Sequence, residues 1–366
     1  MKICFIASNL NLDNGDGRFA SSMIKAFQEL GIETLVFVDR NERELLGAKA
    51  MLYKGGVFKK FIIGPILIAK ALRGEKIDVI HAFDAWPKGI IAYFSHLLAG
   101  VPFGMTIYAT YGVLPLTKSF KSFLLKAAYK KSILNAAISQ ITAEKIKNLM
   151  PKADIKVINQ GIDFKKYQGH IVNQKIVSNP YILSVAYMKP RKGYHYAIPA
   201  FAEIKKIFPE LKYVIRAAES DGKYFERIKN MASDLGVDKD IIWLPRLEES
   251  ELVDVYKNAE VFFLPSVSSD PVYFEGFGSI YLEAQACGVP VVTSKGGGQE
   301  DAIVDGKTGF LIEEGNIDEA VEALKKIITN KSLRKEFSKN AIEFARLMSW
   351  NFKVEEYLNY YHNAIG

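Results

Sequence analysis

Glu275 and Glu283 stand eight positions apart and bracket the turn Gly276-Phe277-Gly278, in the stretch EGFGSIYLEAQACGVPVVTSKGGGQE. Glu275 falls in a glycine-containing loop, and the pattern predicts a helix that opens near Ser279 and carries Glu283 on its second turn. The apolar run Val289 to Val292 predicts a buried strand after it. Eight helix-like residues span about 12 Å at 1.5 Å each, roughly the length of a sugar, two phosphates and a ribose laid end to end. One carboxylate then accepts hydrogen bonds from hexose hydroxyls and the other from ribose hydroxyls. Between them, the free N–H groups of Gly276, Phe277, Gly278 and Ser279 face the diphosphate, because a helix N-terminus favours negative charge. From the residues alone two other readings stay open. Both glutamates are solvated surface groups in one. In the other they form a glycosidase pair, whose carboxyls must sit about 5 to 9.5 Å apart, a distance this offset reaches only if the loop folds back.

The frame for these groups is legible as alternation. Lys2 to Ala7, Thr34 to Val38, Val79 to Ala82, Gly104 to Tyr108 and Ala136 to Ile138 read as strands of one sheet. Tyr181 to Val185, Tyr213 to Ala217, Ile241 to Leu244, Val261 to Leu264 and Val289 to Thr293 read as strands of another. Helical periodicity lies between them, as in Phe19 to Leu30 and Tyr224 to Leu235. This predicts an α/β protein of two Rossmann-like, doubly wound parallel-sheet domains, with ligands beyond the carboxyl ends of the strands. The expected domains are 1–165 and 166–349. Gly161 is expected to supply a turn at the boundary, and the polar stretch Gln168 to Asn179 to act as linker. Ser349-Trp350-Asn351 introduces a last apolar-patterned helix, 350–366.

Length and composition agree with this frame. A chain of 366 residues predicts two domains more readily than one, and 49% hydrophobic with 24% charged residues is ordinary globular composition. Cys4 and Cys287 lie far apart in apolar segments without metal-ligand spacing, so reduced, buried thiols are expected. No signal-peptide pattern and no run of 18 apolar residues is visible, so a cytoplasmic protein is expected. Residues 1–165 carry 23 Lys+Arg against 13 Asp+Glu, a net +10, while the remainder carries 25 against 28, a net −3. No acidic residue occurs between Asp84 and Glu144, where six lysines do. That asymmetry predicts an anionic partner for the first half.

The stretch EGFGSIYLEA…CGVPVV…GG…E…DGKTGFL resembles the C-terminal half of the retaining glycosyltransferases of family 4, which have the GT-B fold. The resemblance runs along nearly the whole chain and is stronger after residue 180. It implies that Glu275 contacts the donor sugar and Glu283 the ribose. It also implies that the nucleotide sits on the second domain and the acceptor mainly on the first, across an interdomain cleft, with the last helix crossing back onto the first domain. Strand Tyr181 to Val185 leads into Tyr187-Met188-Lys189-Pro190-Arg191-Lys192, where Lys192 neutralises the departing diphosphate and Arg191 assists. Here the chain departs from the family: Ala186-Tyr187 stands where Gly-Arg is frequent, so Arg191 or Tyr187 takes over a missing arginine's role. The resemblance further implies that Gly15 and Gly17 reach the diphosphate, and that Arg246 and Leu247 in the turn after Leu244 read the base. His81 in His81-Ala82-Phe83-Asp84 is implied at the reaction centre, with Asp84, Tyr108 and Tyr111 on the acceptor side. No metal and no cofactor are implied, only a UDP- or GDP-linked sugar. The leaving phosphate takes the acceptor proton during same-face attack.

Lys118, Lys121, Lys126, Lys130 and Lys131 alternate with Phe120, Phe123, Leu124, Ala127 and Leu134, and Phe58 to Leu72 adds a second basic and apolar patch. Either a helix lies peripherally on an anionic membrane, which fits a lipid-linked acceptor, or the apolar residues belong to the core and the lysines are solvated. The main reading is a hexosyltransferase acting on a glycan or lipid-linked hydroxyl. A GT-B epimerase or phosphorylase and a catalytically impaired binding module are the alternatives. Nucleic acid is not an expected partner, since no aromatic stacking motif or basic recognition helix is present.

Overall fold

The computed structural model describes residues 1–12, 14–39, 48–50, 59–169, 177–218, 222–268 and 274–366. Its chain divides into two compact units, Met1–Gly161 with Trp350–Gly366, and Ile162–Ser349. The first division falls four residues before the expected 165/166. The reason is a parallel bridge between Ile162 and Ser349, with the Ile162 amide donating to the Met348 carbonyl at 3.0 Å, which ties Ile162 into the second unit. Residues 170–176 of the expected linker, and Phe58 of the expected second patch, lie outside the described residues.

In the first unit, strands β1 (Lys2–Ala7), β2 (Glu33–Val38), β3 (Lys49–Ala50), β4 (Val79–Phe83), β5 (Phe103–Ile107), β6 (Leu134–Ala137) and β7 (Lys156–Val157) form one sheet in the order β3-β2-β1-β4-β5-β6-β7. All its pairings are parallel. In the second, β8 (Tyr181–Tyr187), β9 (Lys212–Ala218), β10 (Ile241–Leu244), β11 (Val261–Phe263), β12 (Val291–Ser294) and β13 (Gly309–Ile312) run in the order β10-β9-β8-β11-β12-β13, again parallel throughout. Each order reverses once, between β1 and β4 and between β8 and β11. A crevice opens at such a switch point because the two connections leave on opposite faces of the sheet.

The central strands are buried on both faces, so they are continuous apolar runs: Ile3 to Ile6, and Val261 to Leu264, have no exposed surface. The helix Gly15–Glu29 buries Phe19, Met23, Ile24 and Phe27 at helical spacing, and the Asn14 side chain caps its start by accepting from the Gly17 amide at 2.7 Å. It opens four residues before the apolar periodicity does, since the cap carries two glycines into the first turn.

The C-terminal helix Trp350–Ile365 completes the first unit, burying Trp350, Val354, Tyr357 and Tyr361. Trp350 meets Phe19 edge-on at 4.9 Å. Gly161 is needed here for space rather than for a turn: its φ is not positive, and a Cβ on it would lie 2.5 Å from the Trp350 ring.

Candidate active site

The second unit brings two loops together at its switch point. The first leaves β8 through a short 3-10 turn, Pro190–Lys192, and ends on Gly193, whose φ is +72°. A Cβ at Gly193 would sit 1.7 Å from the Pro265 carbonyl oxygen, so only glycine lets this loop press against the chain leaving β11. That second chain carries Glu275. Its carboxylate Oε2 accepts from Lys192 Nζ at 2.5 Å and from Arg191 Nη1 at 3.0 Å. Glu275 and Lys192 are both nearly inaccessible, at 7% and 6%, whereas the Arg191 side chain is 40% exposed. Burial alone pushes the Glu275 carboxyl up, but the Lys192 and Arg191 charges outweigh it and hold the group below its ordinary range. Burial likewise pulls the Lys192 ammonium down, with Glu275 opposing.

The helix Ser279–Ala286 begins three residues beyond Gly276 and is capped by Gly278 at φ +82°, with no side chain spent on the cap. Its first N–H groups are therefore left for an anion. Glu283 lies on the second turn, 4% exposed, and accepts from the Tyr256 hydroxyl at 3.2 Å. The Gly298 amide donates to the Glu275 carbonyl at 2.8 Å, so the loop after β12 braces the Glu275 loop.

The first unit has its own cluster at the carboxyl ends of β1, β4 and β5. Asp84 follows β4 with φ +97°, the one non-glycine with a positive φ among the described residues. Such a conformation costs about 1–3 kcal/mol, and it is held by the Thr106 carbonyl accepting from the Asp84 amide and the Asp84 carbonyl accepting from the Gly89 amide, both at 2.9 Å. Oδ1 accepts from the Ala85 amide at 2.7 Å. Burial pushes the Asp84 carboxyl well above its usual range, against the pull of that amide bond, and the Asp16 charge adds to the rise. Tyr108, at the end of β5, carries a buried hydroxyl with no hydrogen-bond partner among the described residues. Tyr111, on the short helix Ala109–Val113, is 55% exposed.

The model for glycosyl transferases group 1 matches residues 170–344, and the model for glycosyltransferase family 4 matches residues 14–166. The chain belongs to the group 1 glycosyltransferases. A GDP-mannose-dependent alpha-(1-6)-phosphatidylinositol monomannoside mannosyltransferase of Mycolicibacterium smegmatis is 32% identical over 41% of this chain and 39% of its own length. An uncharacterized glycosyltransferase of Methanocaldococcus jannaschii is 26% identical over 90% of this chain and 89% of its own. Of several other curated relatives the chain matches only 39–53% of the length. The crystal structure of Anabaena HepE in complex with UDP superposes with a TM-score of 0.81 at 18% identity, over 98% of this chain and all of that one. The chain therefore has the two-domain, Rossmann-like GT-B fold.

Several residues expected in the site are placed differently from the expectation. His81 is the main correction. It has no exposed surface, its Nδ1 is bonded to the Tyr361 hydroxyl, and its Nε2 lies 3.0 Å from Thr106 Oγ1. Thr106 Oγ1 is in turn 2.8 Å from the Tyr357 hydroxyl. Burial pushes the His81 imidazole down to about 3, so it is neutral, and both nitrogens are occupied. His81 pins the C-terminal helix to the sheet and has no nitrogen left for a substrate. Gly15 and Gly17 belong to a capped helix start rather than a loose loop. A Cβ at Gly17 would meet Asn11 O and Asn9 Oδ1 at 2.3 Å, whereas Gly15 is unhindered. Tyr187, at the end of β8, is 40% exposed with Lys189 Nζ 5.5 Å over its ring. Arg246 is exposed and Leu247 half-buried, in the turn after the edge strand β10. Sequence reasoning passed over one triplet, Asp238-Lys239-Asp240, which has the acidic spacing of a metal-binding pair. It forms a turn at the amino end of the edge strand β10, whereas Lys192 follows the carboxyl end of the central strand β8, and Asp240 Oδ1 is taken by Lys212 at 2.6 Å and Lys205 at 2.9 Å.

Proposed function

We propose that the protein is a retaining hexosyltransferase. It would move a hexose from a UDP- or GDP-linked sugar to a hydroxyl of a glycan or lipid-linked acceptor, without a metal. The observation that carries this reading is the buried Glu275 carboxylate bonded by both Lys192 and Arg191 at the β8/β11 switch point. A diphosphate arriving over the start of the helix Ser279–Ala286 competes for those two cations. Their release turns the Glu275 oxygen towards the hexose hydroxyls, while Glu283 accepts from the ribose. The relatives support the donor class: the mycobacterial one is GDP-mannose-dependent, and HepE has been crystallised with UDP-glucose.

In the reaction, the bond from the sugar's anomeric carbon to the phosphate oxygen breaks, and a bond from that carbon to the acceptor oxygen forms on the same face. The acceptor proton passes to the departing phosphate oxygen. Lys192, Arg191 and the helix N–H groups stabilise the charge that develops there. Glu275 positions the hexose and forms no covalent bond. Asp84, Tyr108 and Tyr111 serve the acceptor, and the Tyr108 hydroxyl, without a partner among the described residues, is the group best suited to an acceptor hydroxyl.

Thermal-shift screening with UDP- and GDP-sugars identifies the donor, because a ligand that binds only the fold raises its stability. With that donor, Lys192→Ala is expected to lower kcat by about 10²–10³-fold, with Glu275→Ala at least as severe. Product NMR should show the donor's anomeric configuration. Undiminished turnover in Glu275→Ala, an inverted product, or a trapped adduct on Glu275 would each overturn the corresponding part.

A further inference from the structure

The helix Ser119–Lys131 buries one narrow stripe, Ser122, Leu125, Ala128 and Tyr129, and leaves Phe120 71% and Phe123 73% exposed. These are the two most exposed large apolar side chains among the described residues. Phe120 and Phe123 therefore do not belong to the core, whereas Leu124 is half-buried and Leu134 buried. Lys118, Lys121, Lys126, Lys130 and Lys131 are exposed around them, and none is in an ion pair with a described residue. The patch extends beyond the helix. Lys121 Nζ lies 5.1 Å over the Trp86 ring, and Trp86 packs on Phe61 at 5.3 Å, next to Ile62, which is 46% exposed. One turn further, Ile66 is 51% exposed.

We propose that this face docks on an anionic lipid bilayer. The chemistry is that of an interfacial helix: aromatic side chains enter the headgroup boundary while surrounding lysines meet anionic lipid. Charge complementarity selects this occupant, since no acidic residue between Asp84 and Glu144 offsets the lysines. A second copy of the same face would set lysine against lysine. The docking face also begins two residues after Asp84, through Trp86, so an acceptor anchored in the bilayer would be held beside the acceptor-side cluster. That last step rests on the functional reading above; the docking itself does not.

The test is co-sedimentation of the intact chain with vesicles of phosphatidylcholine and phosphatidylglycerol in equal parts, against phosphatidylcholine alone. Binding is expected only to the anionic vesicles, and it should vanish at 1 M salt, where the screening length is about 3 Å. Phe120→Ser with Phe123→Ser should weaken partitioning at least about tenfold, and each of Lys121→Gln and Lys126→Gln about fivefold. Both phenylalanines are exposed, so the melting temperature and donor hydrolysis should not change. Equal binding to neutral vesicles, undiminished binding of the phenylalanine double variant, or a dimer in sedimentation velocity that this variant abolishes would overturn the proposal. None of these readouts requires transfer, so failure here leaves the functional reading standing.

Discussion

A carboxylate and an ammonium held at 2.5 Å with almost no access to water are costly to bury, and breaking such a pair costs more than never having made it. Glu275 and Lys192 satisfy each other, with Arg191 as the exposed third member. Lys192→Met is therefore expected to lower stability by about 3–5 kcal/mol, because it leaves a buried carboxylate with only a half-exposed guanidinium. The double variant Lys192→Met, Glu275→Gln should recover most of that loss while remaining inactive, and urea unfolding at neutral pH would measure both. If the single and double variants unfold alike, the two charges are not coupled. The pH sign follows from the carboxyl's position. Glu275 is held below its ordinary value of 4.5, so its contribution is complete above that value and is lost as pH falls through the folded one. The Glu275→Gln variant should lose that part of the acid destabilisation below pH 4.5.

At the scale of elements, His81 shows how one contact between distant segments resets a residue's role. The imidazole is neutral because burial drives it to about 3, against 6.5 in the unfolded chain. Between those values the unfolded state binds the extra proton, so stability rises with pH through the window and is complete above 6.5. The wild-type protein should therefore gain up to about 1.4 kcal/mol per pH unit from this group within the window. His81→Gln should flatten that slope and lower the melting temperature, leaving KM for the donor unchanged; a lowered kcat with unchanged stability would restore His81 to the reaction. The sequence shows why the expectation failed. His81 ends a strand at the carboxyl edge, where ligand groups gather, and nothing local reveals that Tyr361, 280 residues later, fills the space beside it. The central strands were readable because strands buried on both faces are continuous apolar runs. The edge strands β3 and β7 are only two residues long, too short to leave a pattern, and the apolar run of β13 was absorbed into the family motif. Residue type and spacing singled out Glu275 and Glu283, and the family resemblance singled out Lys192. The bond between Glu275 and Lys192 was not, since it depends on Gly193 pressing one loop against Pro265 across β8 and β11.

At the scale of the whole molecule, the chain's last segment belongs to its first unit, so the two units are not two halves of the sequence. Trp350 fills the space that Gly161 leaves and meets Phe19, while Tyr357 and Tyr361 close the network around His81 and Thr106. The first sheet's core thus depends on residues distant in the sequence, whereas Ile162–Ser349 holds its own sheet and the Glu275, Lys192 and Glu283 groups. Trp350→Ala should cost about 3–5 kcal/mol, the usual range for truncating a buried tryptophan, and the loss should fall on one unit. Hydrogen exchange is the measurement that separates them. Amides of β1, β4 and β5 should lose protection in this variant, while those of β8, β11 and β12 keep theirs and still gain protection when a sugar nucleotide is added. Uniform loss across both sheets would mean that the units unfold as one. Loss confined to the second would mean that the C-terminal helix supports the donor site rather than the first sheet.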